Sequence, residues 1–308
     1  GASRGMRCAT DCSLSKDLVS TFVRASLADS TRRAYAADLS HFFDWGGRLP
    51  AKPASIAAYL AAHAGTLSIA TLERRRAALA KAHAFASGEN PARSALVNAT
   101  MRGMKRMKGR PQRQAMPLLP EDLAKVVRST GRDLTGQRDR ALLLIGFWGA
   151  LRRSELVGLD VTDLVPDKDG LSLMVRRSKT DPHGRGHRIK VALNRSSRLC
   201  AVRAVAVWMK ASGHSSGPLF RAIDRHGNVG PRRLSGEAVS VIVKQRTEAA
   251  GFDPRLYSGH SLRAGYVTAH ALAGVAEWRI RRQTGHTSNV MLARYIRDNP
   301  ELVAIGQR

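Results

Sequence analysis

Gly149-Ala150-Leu151-Arg152-Arg153-Ser154-Glu155-Leu156 follows on Arg138–Phe147, whose run of apolar residues from Ala141 to Phe147 reads as a buried helix. Downstream, Leu171–Arg176 and Arg188–Leu193 read as short strands, joined by the polar, glycine-containing turn Asp181–Gly186. Ser197–Ser212 is amphipathic, with Leu199, Val202, Val205 and Trp208 on one face. From Leu234 onward the pattern is helical again. Upstream, Pro120-Glu121-Asp122 opens a helix, with proline near its first position and acids at the positive end of its dipole. This half of the chain is therefore expected to be mixed α/β, mostly helical with a small antiparallel sheet.

The N-terminal half is predicted to be wholly helical, which makes the chain mainly α. Ser30 or Thr31 can cap a helix whose apolar face is Tyr35, Leu39, Phe42 and Phe43. A second helix holds Ile56, Tyr59 and Leu60, a third runs from near Ser68 to about Ala86, and a fourth covers Ala95–Met107. Lys108-Gly109-Arg110-Pro111-Gln112-Arg113-Gln114-Ala115-Met116-Pro117 has the glycine, prolines and charges of a linker. The expected organisation is a flexible tail at 1–13, a helical domain at 14–108, a linker at 109–118 and a second domain at 119–308. Gly1 is not an initiator residue, and Met6 is the expected neighbourhood of the native start.

Lys and Arg number 51 against 24 Asp and Glu, a formal net charge of +27. Such an excess repels itself unless a polyanion neutralises it, and nucleic acid is the usual polyanion. Codon bias explains arginine over lysine but not the net excess. With 43% hydrophobic residues a sizeable core is expected, which excludes wholesale disorder. The longest apolar stretch, Ala141–Leu151, holds two glycines and falls well short of the roughly 20 residues a bilayer span needs. No membrane association is expected. Cys8, Cys12 and Cys200 cannot build a disulfide framework, and no apolar signal run opens the chain, so a reduced cytoplasmic setting is expected.

Three further pieces stand out beside Gly149–Leu156. They are Arg177-Ser178-Lys179-Thr180 at the end of a strand, Gly259-His260-Ser261-Leu262-Arg263, and Thr284-Gly285-His286 followed by Ala293-Arg294-Tyr295-Ile296. In this order, Arg152, Lys179, His260, Arg263, His286 and Tyr295 resemble the catalytic series of the tyrosine recombinase (phage integrase) family, and the N-terminal helices look most similar to its Cre-like simple recombinases. The resemblance implies a helical core-binding domain before the catalytic domain. It implies site-specific cleavage and rejoining of duplex DNA through a 3′-phosphotyrosine, with no cofactor and no metal.

The residue types suit that chemistry. Breaking a strand without a metal needs a protein nucleophile and substitutes for metal charge. Tyr295 offers a phenol, and a phosphotyrosine conserves the phosphodiester energy. The planar, permanently charged guanidiniums of Arg152 and Arg263 suit the non-bridging oxygens of the transition state. His260 and His286 can donate hydrogen bonds, and His260 can also accept the tyrosine proton. Lys179 can protonate the leaving 5′ oxygen if neighbouring arginines lower its pKa. Glu155 resembles an acid that orients an arginine, against the alternative of a plain surface ion pair. Tyr35 and Tyr59 fall on apolar helical faces, and Tyr257 and Tyr266 flank the His260 motif, so Tyr295 is the expected nucleophile.

The resemblance further implies a clamp of the two domains around DNA, a dimer on each site and a tetramer on two. Thr71, Arg74, Arg75 and Lys81 of the third helix are expected to face the major groove. Three consecutive arginines cannot all reach one groove. Arg102, Lys105, Arg106 and Lys108 are expected on phosphates, and Ser235, Lys244 and Arg246 near the groove from the second domain. Within the 13 residues after Tyr295, 296–308, Pro300-Glu301-Leu302-Val303-Ala304-Ile305 can form a short apolar helix that docks on a neighbouring protomer or on its own domain. No additional arm-binding domain is expected. The alternatives to a recombinase are a type IB topoisomerase-like strand passer and a catalytically silent DNA-binding protein.

Overall fold

The computed structural model describes residues 26–84, 89–108, 114–176, 186–194 and 197–285. The chain divides into two compact units, Gly1–Gln112 and Arg113–Arg308. No helix among the described residues is long and apolar enough to cross a membrane.

The first unit is built from α1 (Asp29–Asp44), α2 (Pro53–Ala62), α3 (Ile69–Ala82) and α4 (Ala95–Lys108). Ile56, Tyr59 and Leu60 of α2 are fully buried with Phe42, Leu72 and Val97. Two expectations for α1 fail. The helix begins at Asp29, so Ser30 and Thr31 lie inside it and neither caps it. Phe43 is 47% exposed, because Phe42 and the carboxylate of Asp38 take the inward positions. Ser68 does cap α3, its hydroxyl accepting from the Thr71 amide at 3.1 Å.

Polar groups are buried between α1, α2 and α3. Arg74 donates to both oxygens of the buried Asp38 carboxylate, each at 2.8 Å. Arg75 donates to the Tyr59 hydroxyl at 3.1 Å and meets the His41 ring at 2.9 Å, and the His63 ring lies 4.8 Å from that of His41. Burial first, then the charges of Arg75 and His63, hold the His41 imidazole below its ordinary value of 6.5, against a raising influence from Asp44. The unfolded chain therefore takes up this proton at higher pH than the folded one. The stabilising contribution is complete above about pH 6.5 and is lost as pH falls through that region. The melting temperature of the wild-type chain is expected to drop more than that of His41→Gln between about pH 7.5 and about pH 5. Parallel melting curves across that range would contradict the assignment.

The second unit is organised around α6 (Leu134–Trp148), which follows α5 (Pro120–Arg128). Every residue of α6 from Ala141 to Phe147 is buried, so the helix is surrounded rather than amphipathic. It packs along α8 (Ala201–Ser212), and α10 (His260–Leu272) also lies against it. Between them the chain forms α7 (Arg153–Gly158), a three-stranded antiparallel sheet, a two-stranded ribbon and α9 (Gly236–Ala249), with α11 (Glu277–Thr284) last among the described helices. The sheet runs β1 (Leu164–Asp167), β2 (Gly170–Val175), β3 (His187–Ala192), in that order. Leu171 pairs with Val191 and Leu173 with Ile189, which turns all four toward the core. The ribbon is β4 (Arg221–Ile223) with β5 (Val229–Arg233). β1, β4 and β5 were not expected from the sequence. They are three to five residues long, and β4 and β5 carry arginines instead of an apolar alternation.

Candidate active site

The end of α6 decides where Arg152 stands. Gly149 keeps a right-handed backbone, and Ala150 then takes φ +47°, the one non-glycine residue with positive φ among the described residues. The chain reverses there and enters α7 with Arg152 at its N-cap. Glu155, in the first turn of α7, is 3% exposed. One carboxylate oxygen accepts from the Arg152 guanidinium at 2.6 Å and the other from the Arg152 backbone amide at 2.8 Å. This is the acidic half of a capping box, and the same acid also clamps the side chain of the N-cap residue.

Arg263 arrives from α10. It is 3% exposed, and its Nη1 donates to the Ala150 carbonyl at 2.7 Å and stands 4.0 Å from the second oxygen of Glu155. Arg152 and Arg263 thus converge on one buried carboxylate and on the left-handed turn before α7. Each of these charge-assisted bonds is stronger than a neutral one, and burial strengthens them further. His260 begins α10, one helical turn before Arg263, and its side chain is exposed. The N-terminus of α10 is pinned by its neighbours. The Leu118 amide donates to the Ser261 carbonyl at 3.0 Å, and the Ser258 amide to the Ser261 hydroxyl at 3.0 Å. Gly265 lies flat against the Leu118 backbone, where any side chain would collide. Arg153 crosses from α7 to the Ser240 hydroxyl of α9 at 2.8 Å, passing against Gly259.

Lys179, His286 and Tyr295 lie outside the described residues. Their flanking elements are tied together. Gln283, near the end of α11, donates from Nε2 to the Trp148 carbonyl at 2.9 Å and to the Lys190 carbonyl at 3.2 Å. One amide thereby links α11 to the end of α6 and to β3. Gly285 ends α11 at φ +66°, the left-handed cap that favours glycine. Gln283 was not singled out in the sequence, since a glutamine on a short helix carries no pattern of its own.

Burial separates Tyr59, Tyr257 and Tyr266 from a nucleophile's role. It pushes the Tyr266 phenol up to about 12, where the ring stacks on His270 at 3.8 Å. It also raises the phenols of Tyr59 and Tyr257. A nucleophilic phenol must give up its proton, which burial opposes.

Of the residues expected on DNA, Arg102, Lys105, Arg106, Lys108 and Lys244 are exposed. Lys105 pairs with Glu73 at 2.6 Å, binding α4 to α3. Thr71 and Lys81 are half-buried, and the Ser235 hydroxyl caps α9, accepting from the Ala238 amide at 3.1 Å. Two expectations are corrected. Arg75 does not face a groove: helical spacing places it between Leu72 and Leu79 on the inner face of α3, and it is 8% exposed. Arg246 is held by the buried Asp139, with Nε at 2.8 Å and Nη2 at 2.7 Å, beside Arg138 on the same carboxylate. Arg74 keeps an exposed guanidinium edge, though Asp38 engages it bidentately.

A model of the phage integrase family matches residues 118–301. An integrase/recombinase XerD homologue of Selenomonas ruminantium is 38% identical over 280 residues, covering 88% of this chain and 82% of the relative. A tyrosine recombinase of Synechocystis is 27% identical over 301 residues, 93% of this chain and 91% of the relative. Among solved structures, the XerH site-specific recombinase in a post-cleavage complex with palindromic difH superposes with a TM-score of 0.64 at 17% identity, over 89% of this chain and 78% of that one. A lambda integrase tetramer bound to a Holliday junction matches with 0.64 at 18%, over 87% and 72%. The chain belongs to the phage integrase family, the tyrosine recombinases.

Proposed function

We propose that this chain is a site-specific DNA recombinase that cleaves and rejoins duplex DNA through a 3′-phosphotyrosine on Tyr295, without a metal ion. The observation that carries the reading is the convergence of Arg152 and Arg263 on buried Glu155. Two guanidiniums fixed at one point form a rigid cationic cradle, and the charge that gathers on a pentacovalent phosphate needs such a cradle in place before it forms. In this reading Arg152 and Arg263 hold the non-bridging oxygens. His260, exposed at the start of the helix that carries Arg263, takes the Tyr295 proton, and His286 donates a hydrogen bond to the phosphate. Lys179 protonates the 5′ oxygen as it leaves. Glu155 and Gln283 position these groups and touch no substrate.

The exposed cations Arg102, Lys105, Arg106, Lys108 and Lys244 serve the phosphate backbone, with Thr71, Arg74, Lys81 and Ser235 as further contacts. The protein acts in the bacterial cytoplasm as a dimer on each DNA site and a tetramer on two. The similarity to a XerD homologue along most of both chains supports a recombinase over a topoisomerase-like strand passer.

The test is a nicked suicide duplex from which the cleaved end diffuses away. A covalent protein–DNA adduct is expected to form at the same rate in excess EDTA as in magnesium. Loss of the adduct in chelator, restored by magnesium, would replace the guanidinium cradle by a metal-assisted mechanism.

A further inference from the structure

Away from the catalytic turn, a pocket of about 360 Å³ opens between α6, α8 and the segment before α8. Arg132, Arg140, Arg198 and Arg203 line it, and Cys200, Ala204 and Val207 supply an apolar wall. No acidic residue lines it. Arg140 lies eight residues before the end of α6, so roughly 12 Å of helix separates it from the turn that leads to Arg152.

The chemistry of this pocket is one-sided. Arg132, Arg140 and Arg198 form no ion pair among the described residues. Arg140 donates instead to the Arg198 carbonyl at 3.0 Å, and Arg203 to the Ser197 carbonyl at 2.5 Å. Burial first, then the charges of Arg203 and Arg198, hold the Arg140 guanidinium below the ordinary arginine value. Two arginines of this unit, Arg246 and Arg152, are matched by the buried acids Asp139 and Glu155. Here the carboxylate is missing and a cavity stands in its place. Guanidinium forks match phosphate oxygens bidentately, and pockets of this size with an apolar wall take small organic ligands.

We propose that this pocket binds a small polyphosphate anion, the di- or triphosphate group of a nucleotide or free pyrophosphate, as a site separate from the catalytic one. The arginines take the phosphate oxygens. The Cys200–Val207 wall takes the organic part when there is one. A ligand there neutralises the repulsion around Arg140 and stabilises the α6–α8 packing on which the catalytic turn is built.

The experiment is thermal unfolding of the full chain, free of DNA and magnesium, against pyrophosphate, ATP and sodium chloride at matched ionic strength. At about a hundred times its Kd a ligand is expected to raise the melting temperature by roughly 5–10 °C and to saturate. A larger rise with ATP than with pyrophosphate assigns the nucleotide, and equal rises assign the phosphate group alone. Two variants locate the site. The double variant Arg140→Gln, Arg203→Gln is expected to lose the rise. Val207→Glu, which places a carboxylate among the guanidiniums, is expected to melt no lower than the wild type and also to lose it. Both should bind duplex DNA within about twofold of the wild type, since these arginines are a small part of the phosphate grip. A rise that persists in Val207→Glu, or that sodium chloride reproduces, overturns the proposal. So does a tenfold loss of DNA affinity in Val207→Glu, which would make the pocket part of the DNA path.

Discussion

Glu155→Ala is expected to abolish strand cleavage and to destabilise the catalytic unit by about 3–5 kcal/mol, the usual cost of removing one partner from a buried ion pair. The carboxylate is buried and serves three groups at once. It accepts from the Arg152 amide at 2.8 Å and from its guanidinium at 2.6 Å, and it stands 4.0 Å from Arg263. Without it Arg263, at 3% exposure, faces Arg152 across a cavity with no intervening negative charge. Glu155→Gln keeps the shape and one acceptor, so it should fold more stably than the alanine variant while cleaving far more slowly than the wild type. Denaturant unfolding and single-turnover cleavage read the two effects separately. An alanine variant that unfolds at the wild-type midpoint and cleaves at the wild-type rate would reduce Glu155 to a bystander.

The second large effect concerns Lys179. In the proposed mechanism it is the general acid that protonates the 5′ oxygen as that oxygen departs. Lys179→Ala should then slow cleavage by about a hundred- to ten-thousandfold, the range that general acid catalysis contributes, with little change in DNA affinity. The loss should largely vanish on a duplex whose 5′ bridging oxygen is replaced by sulfur, because a thiolate leaves without a proton. Arg152→Ala should gain nothing from sulfur, because the role proposed for its charge is on the non-bridging oxygens. Sulfur that rescues neither variant would make Lys179 a phosphate contact and give the proton to another residue or to water.

The parts of this fold that were legible in the sequence are those with strong periodicity or strong punctuation. Ala141–Phe147 announces a surrounded helix because no polar residue interrupts it. Ser68 announces the start of α3, and Pro120 with Glu121 and Asp122 that of α5. Leu171, Leu173 and Val175 announce β2 by alternation. β4 and β5 were silent because a short ribbon of Arg221–Ile223 and Val229–Arg233 is held by its ladder and by arginine contacts, as where Arg233 donates to the Leu159 carbonyl at 3.0 Å. Order and spacing singled out Arg152 and Arg263 and suggested that Glu155 orients an arginine, but not that both arginines meet that one buried carboxylate. In a chain with 51 cations, charge does not reveal which arginine turns inward to meet a buried acid. Arg75 and Arg246 were misread for that reason, since Asp38 and Asp139 look like surface acids until helix packing buries them.

The most direct measurement is the identity of the amino acid that carries the DNA. The adduct trapped on the suicide duplex is digested with nuclease and protease, and the nucleotide-bearing peptide is sequenced by mass spectrometry. The expected result is a 3′-phosphate on Tyr295, with no adduct from Tyr295→Phe although that variant binds the duplex as well as the wild type. A nucleotide found on Tyr257, Tyr266 or any other side chain, or an adduct that persists in Tyr295→Phe, would contradict the mechanism.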